Sequence, residues 1–128
     1  MKSYALIISI VSASLMINGA ALAMDLNFKT ISGGGDVPLS VGRGGNPDGP
    51  DILFIHGFSQ SYLSWDMQIK SDLADKFSIT VFDLRGHGAS GKPTDPGGYQ
   101  SSQLWAEDIA EIIKQEKLDK PVLVGWSW

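Results

Sequence analysis

The stretch Ile79-Thr80-Val81-Phe82-Asp83-Leu84-Arg85-Gly86-His87-Gly88-Ala89-Ser90 joins a short apolar run to a polar loop punctuated by glycine. A run of that length, bounded by turn residues, suits a strand buried on both faces. Two further runs have the same form. Ile52-Leu53-Phe54-Ile55 leads into His56-Gly57-Phe58, and Val122-Leu123-Val124, opened by Pro121, leads into Gly125-Trp126-Ser127-Trp128. Helical patterns lie between the runs. Trp65, Ile69 and Leu73 fall at i, i+4 and i+8 in a helix expected from about Ser64 to Lys76. Leu104, Trp105, Ile109, Ile112 and Ile113 form the buried face of a second helix, capped by Ser101 or Ser102 and reaching about Lys117. In that helix Glu107 and Asp108 near the start, and Lys114 and Lys117 near the end, follow the order favoured by the helix dipole.

Upstream, Leu26 to Ile31 alternates apolar and polar residues, Gly33-Gly34-Gly35-Asp36 is a turn signal, and Val37 to Val41 is a second short strand. These suggest an antiparallel pair at a sheet edge. Gly42 to Pro50 and Leu84 to Tyr99 read as loops, the first with a Pro47-Asp48-Gly49 turn. The order is therefore β-β-β-α-β-α-β. It predicts an α/β fold in three layers, with an antiparallel pair followed by parallel strands and right-handed crossovers. Such sheets bind ligands outside the carboxyl ends of their strands. All three unusual segments fall at that edge.

The chain has 128 residues, a net charge of −4, 15 glycines, no cysteine and 43% hydrophobic residues. That length allows one domain. The apolar content supports a packed core rather than disorder. The acidic balance argues against nucleic acid or an anionic membrane surface as partner. Without cysteine there are no disulfides, thiolate metal sites or cysteine nucleophile. No acidic or histidine cluster has metal-ligand spacing, and Gly33-Gly34-Gly35 precedes a strand rather than a helix, so it is no phosphate cradle. The reading calls for no cofactor.

Residues 1–23 read as a secretory signal peptide. Lys2 supplies the positive start, Tyr4 to Ile17 is a largely apolar run without charge, and Ala21-Leu22-Ala23 fits cleavage after Ala23. The expected product, residues 24–128, is exported to the periplasm or secreted, without a membrane anchor. The alternatives are an uncleaved anchor, weakened by Ser9, Ser12, Ser14 and Asn18, and a cytoplasmic protein starting at Met24.

The motifs His56-Gly57-Phe58, Asp83-Leu84-Arg85-Gly86-His87-Gly88-Ala89-Ser90 and Gly125-Trp126-Ser127, in this order, resemble the α/β-hydrolase fold superfamily. The resemblance runs from Asp25 to Trp128. It is strongest to the branch of esterases, cofactor-free haloperoxidase-like perhydrolases and epoxide hydrolases. It implies that Ser127 is the nucleophile of a G-x-S-x-G elbow, with Gly125 as the small near-side residue. It also implies an oxyanion hole made by the backbone N–H groups of Phe58 and Trp128. Phe58 and Trp126 are candidates to shape an acyl pocket, with plain packing the alternative. His56 is expected to organise its loop by hydrogen bonding. Gly57, Gly86, His87 and Gly88 are expected to support the loops, and Asp83, beside Arg85, to pair within its own loop.

In the superfamily the order is Ser, then acid, then His, and both histidines here precede Ser127. The triad acid and histidine are thus expected beyond residue 128, and the chain itself is expected to be inactive and to aggregate through an exposed sheet edge. Serine at the elbow favours acyl chemistry, because the resembling dehalogenases and epoxide hydrolases carry Asp there. His56-Gly57-Phe58 lacks the His-Gly-Gly-Pro-Gly of proline iminopeptidases. The expected function is hydrolysis of a small carboxylic ester or related acyl substrate through an acyl-enzyme. The alternative is a non-catalytic, receptor-like binding protein on the same fold.

Overall fold

The computed structural model describes residues 24–127. The leader read from residues 1–23 and the N–H of Trp128 lie outside them. Among the described residues, no helix is long and apolar enough to cross a membrane.

Five strands form one sheet: β1 (Asn27–Ser32), β2 (Pro38–Gly45), β3 (Asp51–Ile55), β4 (Ser78–Phe82) and β5 (Val122–Gly125). Their spatial order is β1-β2-β4-β3-β5. β2 runs antiparallel to both β1 and β4, whereas β3 is parallel to β4 and β5. This is the expected antiparallel pair followed by a parallel sheet. β2 is longer than the sequence suggested, because Gly42 to Gly45 extends it alongside the run from Val81 back to Ser78 instead of forming loop.

β3 and β4 are buried along their whole length. Their side chains alternate between two cores, as a period of two requires. Leu53, Ile55 and Phe82 join Leu39, Val41, Leu84 and Ile112 on one face, where Trp105, Ile109 and Ile113 pack. Ile52, Phe54, Ile79 and Val81 join Ile69 on the other, covered by Tyr62, Trp65 and Leu73.

The first expected helix is broken. A 3-10 turn at Tyr62–Trp65 is followed by α1 (Asp66–Ile69) and α2 (Leu73–Lys76). At the break, the Ser71 hydroxyl donates to Gln68 O and accepts from Leu73 N–H, offering the backbone an alternative to the helical ladder. A short α3 (Gly97–Gln100) interrupts the second loop, and α4 (Ser102–Gln115) follows. Ser101 stands at the α4 N-cap but makes no side-chain cap bond, so packing rather than the expected cap sets this start.

Candidate active site

The carboxyl ends of β3, β4 and β5 bring His56-Gly57-Phe58, the Asp83–Ser90 loop and Trp126-Ser127 to one edge of the sheet. Trp126 N–H donates to Ile55 O at 3.1 Å, carrying the β3–β5 pairing one residue past the strand. Ser127 then turns to φ +56°. This left-handed conformation disfavours any residue with a Cβ, by roughly 1–2 kcal/mol, and it is the sharp bend a nucleophile elbow needs. A Cβ at Gly125 would meet no described atom within 4 Å. The close approach is at Gly57 instead, where a Cβ would lie 2.9 Å from Trp126 O and 3.1 Å from Ser127 Cβ.

Ser127 lines a cavity of about 230 Å³ with Phe58, Leu84, His87 and Trp105. Phe58 is 82% exposed, so its ring forms a rim rather than a wall. Among the described residues, Phe58 N–H has no hydrogen-bond acceptor. Trp126 does not share this cavity. It lies on a separate depression with Gln60, Ser64, Trp65 and Gln68.

The partners of the two histidines fix their tautomers. Leu84 N–H can only donate, so His56 Nε2 accepts it at 3.0 Å, and His56 Nδ1–H donates to Gly57 O at 2.8 Å. Likewise His87 Nε2 accepts Ser59 N–H at 3.1 Å and its Nδ1–H donates to Arg85 O at 2.9 Å. Both rings therefore have both nitrogens committed to backbone groups, with none left for proton transfer to or from Ser127. Burial holds the His56 pKa below its ordinary value; the Gly57 carbonyl opposes this, nearby His87 adds to it, and Asp83 weakly opposes it. The two rings meet edge-on, with centroids 5.3 Å apart.

Asp83 is buried and ties two loops together. Its Oδ1 accepts Tyr62 N–H at 2.9 Å and its Oδ2 accepts Ala89 N–H at 2.8 Å. It thus bonds beyond its own loop as well as within it. It lies 4.0 Å from His56 Nε2, but that nitrogen carries no proton, so the pair is not ionic. Gly86 (φ +79°) and Gly88 (φ +45°) make the bends on either side of His87. A Cβ on Gly88 would overlap the Asp83 carboxylate.

Arg85 has no solvent exposure, and its hydrogen bonds go to Asp108 and to the carbonyls of Gly34, Gly98 and Leu104 rather than to Asp83. Its partner is Asp108, which is equally buried on α4. Asp108 therefore does not serve the helix dipole in solvent, as its place in the sequence suggested. It was legible in another way, since it lies four residues from both Leu104 and Ile112, inside the apolar stripe. Gln60 gave no such signal. Its Oε1 accepts Gly57 N–H at 3.0 Å and closes the turn after β3. Among the described residues, no group of three or more histidine or acidic side chains is placed to hold a metal ion.

Residues 50–128 match a protein-family model described as alpha/beta hydrolase fold. Epoxide hydrolase 1 of Caenorhabditis elegans is 36% identical over 92 residues, covering 72% of this chain and 22% of that protein. The AB hydrolase superfamily protein YfhM of Bacillus subtilis is 32% identical over 92 residues, covering 72% of this chain and 32% of that protein. Among solved structures, a candidate aryl esterase from Burkholderia cenocepacia aligns at TM-score 0.77 with 40% identity, covering 79% of this chain and 37% of that one. Epoxide hydrolase VrEH1 from Vigna radiata aligns at TM-score 0.72 with 26% identity, covering 80% of this chain and 32% of that one. The chain thus spans about a third or less of the length of the curated relatives named here.

Proposed function

The chain belongs to the α/β-hydrolase fold family, and on that premise we propose that it carries the nucleophile of a serine hydrolase acting on a carboxylic ester or related acyl substrate. The observation that carries this reading is the placement of Ser127. It stands at φ +56° at the end of β5, on the same cavity as Phe58, whose N–H is free to receive a developing oxyanion. Ser127 Oγ attacks the carbonyl carbon, the ester C–O bond breaks, the alcohol leaves with the proton that the base took from Ser127, and an acyl-enzyme forms. Water then releases the acid. Phe58 N–H is one oxyanion donor and Trp128 N–H the second. The proton of Ser127 passes to a base from outside residues 24–127, because both histidines within that range have their ring nitrogens committed to backbone groups.

The relatives include an esterase candidate and epoxide hydrolases, so the chemistry at the elbow is the point to decide. Serine attacks an acyl carbon through a strong general base and an oxyanion hole. The resembling epoxide hydrolases use Asp at this place, which makes Ser127 the feature favouring acyl transfer. The leader read from residues 1–23 favours export from the cytoplasm; N-terminal sequencing of exported protein that begins at Met24 would support this, and a start at Met1 would overturn it.

The test is labelling of the full-length protein with a fluorophosphonate, followed by mass mapping and assay on p-nitrophenyl acetate. Label on the peptide bearing Ser127, with loss of label and turnover in S127A, supports the proposal. An unlabelled protein that opens epoxides overturns it. An unlabelled, folded protein with neither activity favours the receptor-like reading.

A further inference from the structure

We propose that His87 is a positioning residue for the oxyanion donor, acting through Ser59; this rests on the acyl-enzyme reading of Ser127. Phe58 N–H points opposite to Gly57 C=O, in the peptide plane that precedes Phe58, and the plane that follows Phe58 holds the residue from its other side. The plane between Gly57 and Phe58 is pinned at its carbonyl, since Gly57 O accepts both His56 Nδ1–H at 2.8 Å and Gln60 N–H at 3.2 Å. The plane between Phe58 and Ser59 is pinned at its N–H by His87 Nε2 at 3.1 Å. With both planes held, the backbone of Phe58 is fixed on either side, at a residue that lines the same cavity as Ser127.

The second plane most needs an external hold. Ser59 sits at φ +61°, a left-handed conformation that a serine does not adopt by preference. His87 can provide the hold because it is itself anchored. Its Nδ1–H donates to Arg85 O, which keeps the lone pair on Nε2. Arg85 in turn is locked by Asp108 and by the carbonyls of Gly34, Gly98 and Leu104. The line of support runs from the buried ion pair, through His87, to the backbone of the loop that carries the free N–H. The His87 ring also meets the Phe58 ring edge-on, with centroids 5.6 Å apart. A packing role and a hydrogen-bonding role are therefore both available to it, and they are separable by substitution.

The experiment compares H87F and H87Q with wild type in the full-length protein, assayed on p-nitrophenyl acetate. Phenylalanine keeps the ring contact and removes the acceptor. Glutamine places an amide oxygen near the position of Nε2 and removes the ring. A misplaced catalytic group costs up to about a hundredfold in rate, so kcat is expected to fall about tenfold to a hundredfold in H87F with KM unchanged. H87Q is expected to recover most of that loss. Equal losses in both variants, or a raised KM with kcat retained in H87F, overturn the proposal. Amide exchange at Ser59 in the wild-type protein gives a check that needs no variant: protection supports the bond, and free exchange overturns it. Wild-type protein that fails to label at Ser127 overturns the acyl-enzyme reading and this proposal together. Normal labelling with an H87F of wild-type activity overturns this proposal alone.

Discussion

The Arg85 guanidinium grips the Asp108 carboxylate through two parallel hydrogen bonds, Nε to Oδ2 and Nη2 to Oδ1, both 2.7 Å long and both shut off from solvent. This planar, two-point arrangement is one that lysine cannot reproduce. Removing one partner of such a buried pair typically costs about 3–5 kcal/mol, because the other charge is left uncompensated. D108A is expected to lose that much in urea denaturation of the full-length protein. R85M/D108L removes both charges and is expected to lose less than the two single changes summed. It does not return to wild type, because Arg85 also satisfies three backbone carbonyls. A D108A protein with wild-type stability contradicts the assignment.

Gly57 is a second point of leverage. A Cβ there would press on Trp126 O, Gln60 Oε1 and Ser127 Cβ at 2.9–3.1 Å. A shift of Trp126 or Ser127 to make room would move the proposed nucleophile. G57A is therefore expected to slow fluorophosphonate labelling about tenfold or more, with the protein still folded by circular dichroism. Unchanged labelling kinetics would show that the elbow tolerates the displacement.

Gly88 carries a different demand. Its φ of +45° disfavours a side chain, and the Asp83 carboxylate occupies the space a Cβ would take. G88A is expected to displace Asp83 from Ala89 N–H, which overpacking and a lost bond put at about 1–3 kcal/mol or more. The thermal midpoint measures it. A G88A protein with no fall in midpoint is the outcome that contradicts the clamp described for Asp83.

Acidification acts through His56. Its folded pKa lies below the ordinary 6.5 because burial disfavours the charged ring. The unfolded chain therefore binds the proton first. Stability contributed by neutral His56 is fully present above pH 6.5 and is lost as pH falls from there to the lowered folded value. Protonation at Nε2 also turns the acceptor of Leu84 N–H into a second donor. Urea unfolding of wild type is expected to weaken more steeply over that range than unfolding of H56Q. Parallel pH profiles for the two proteins count against the assignment.

Much of this architecture was readable beforehand because apolar runs and their turn residues encode a parallel sheet directly. The runs at Ile52 and Ile79 name both buried strands, and the segments that follow them name the edge where the site forms. What escaped was set by contacts distant in sequence. The break at Ser71 is a local hydrogen-bonding choice that a helical stripe of Trp65, Ile69 and Leu73 does not reveal. Asp108 looked like a solvated first-turn acid until Arg85, 23 positions away, is seen against it. The close approach of Gly57 to Trp126 and Ser127 joins two strand ends that the sequence sets far apart.

The strand order has a consequence for where a cleft can open. From β3 the chain first travels sideways to β4 with α1 and α2 on one face, and then back across β3 to β5 with α4 on the other. Segments leaving the neighbours β3 and β4 therefore diverge toward opposite faces, and neither closes the gap between them. Such a fork is inherited by any chain threaded in this order. What this sequence adds is a pair of cross-stitches over it, His56 to Leu84 and His87 to Ser59, each running from one diverging segment to the other. The threading makes the opening, and the two imidazoles decide how wide it stands.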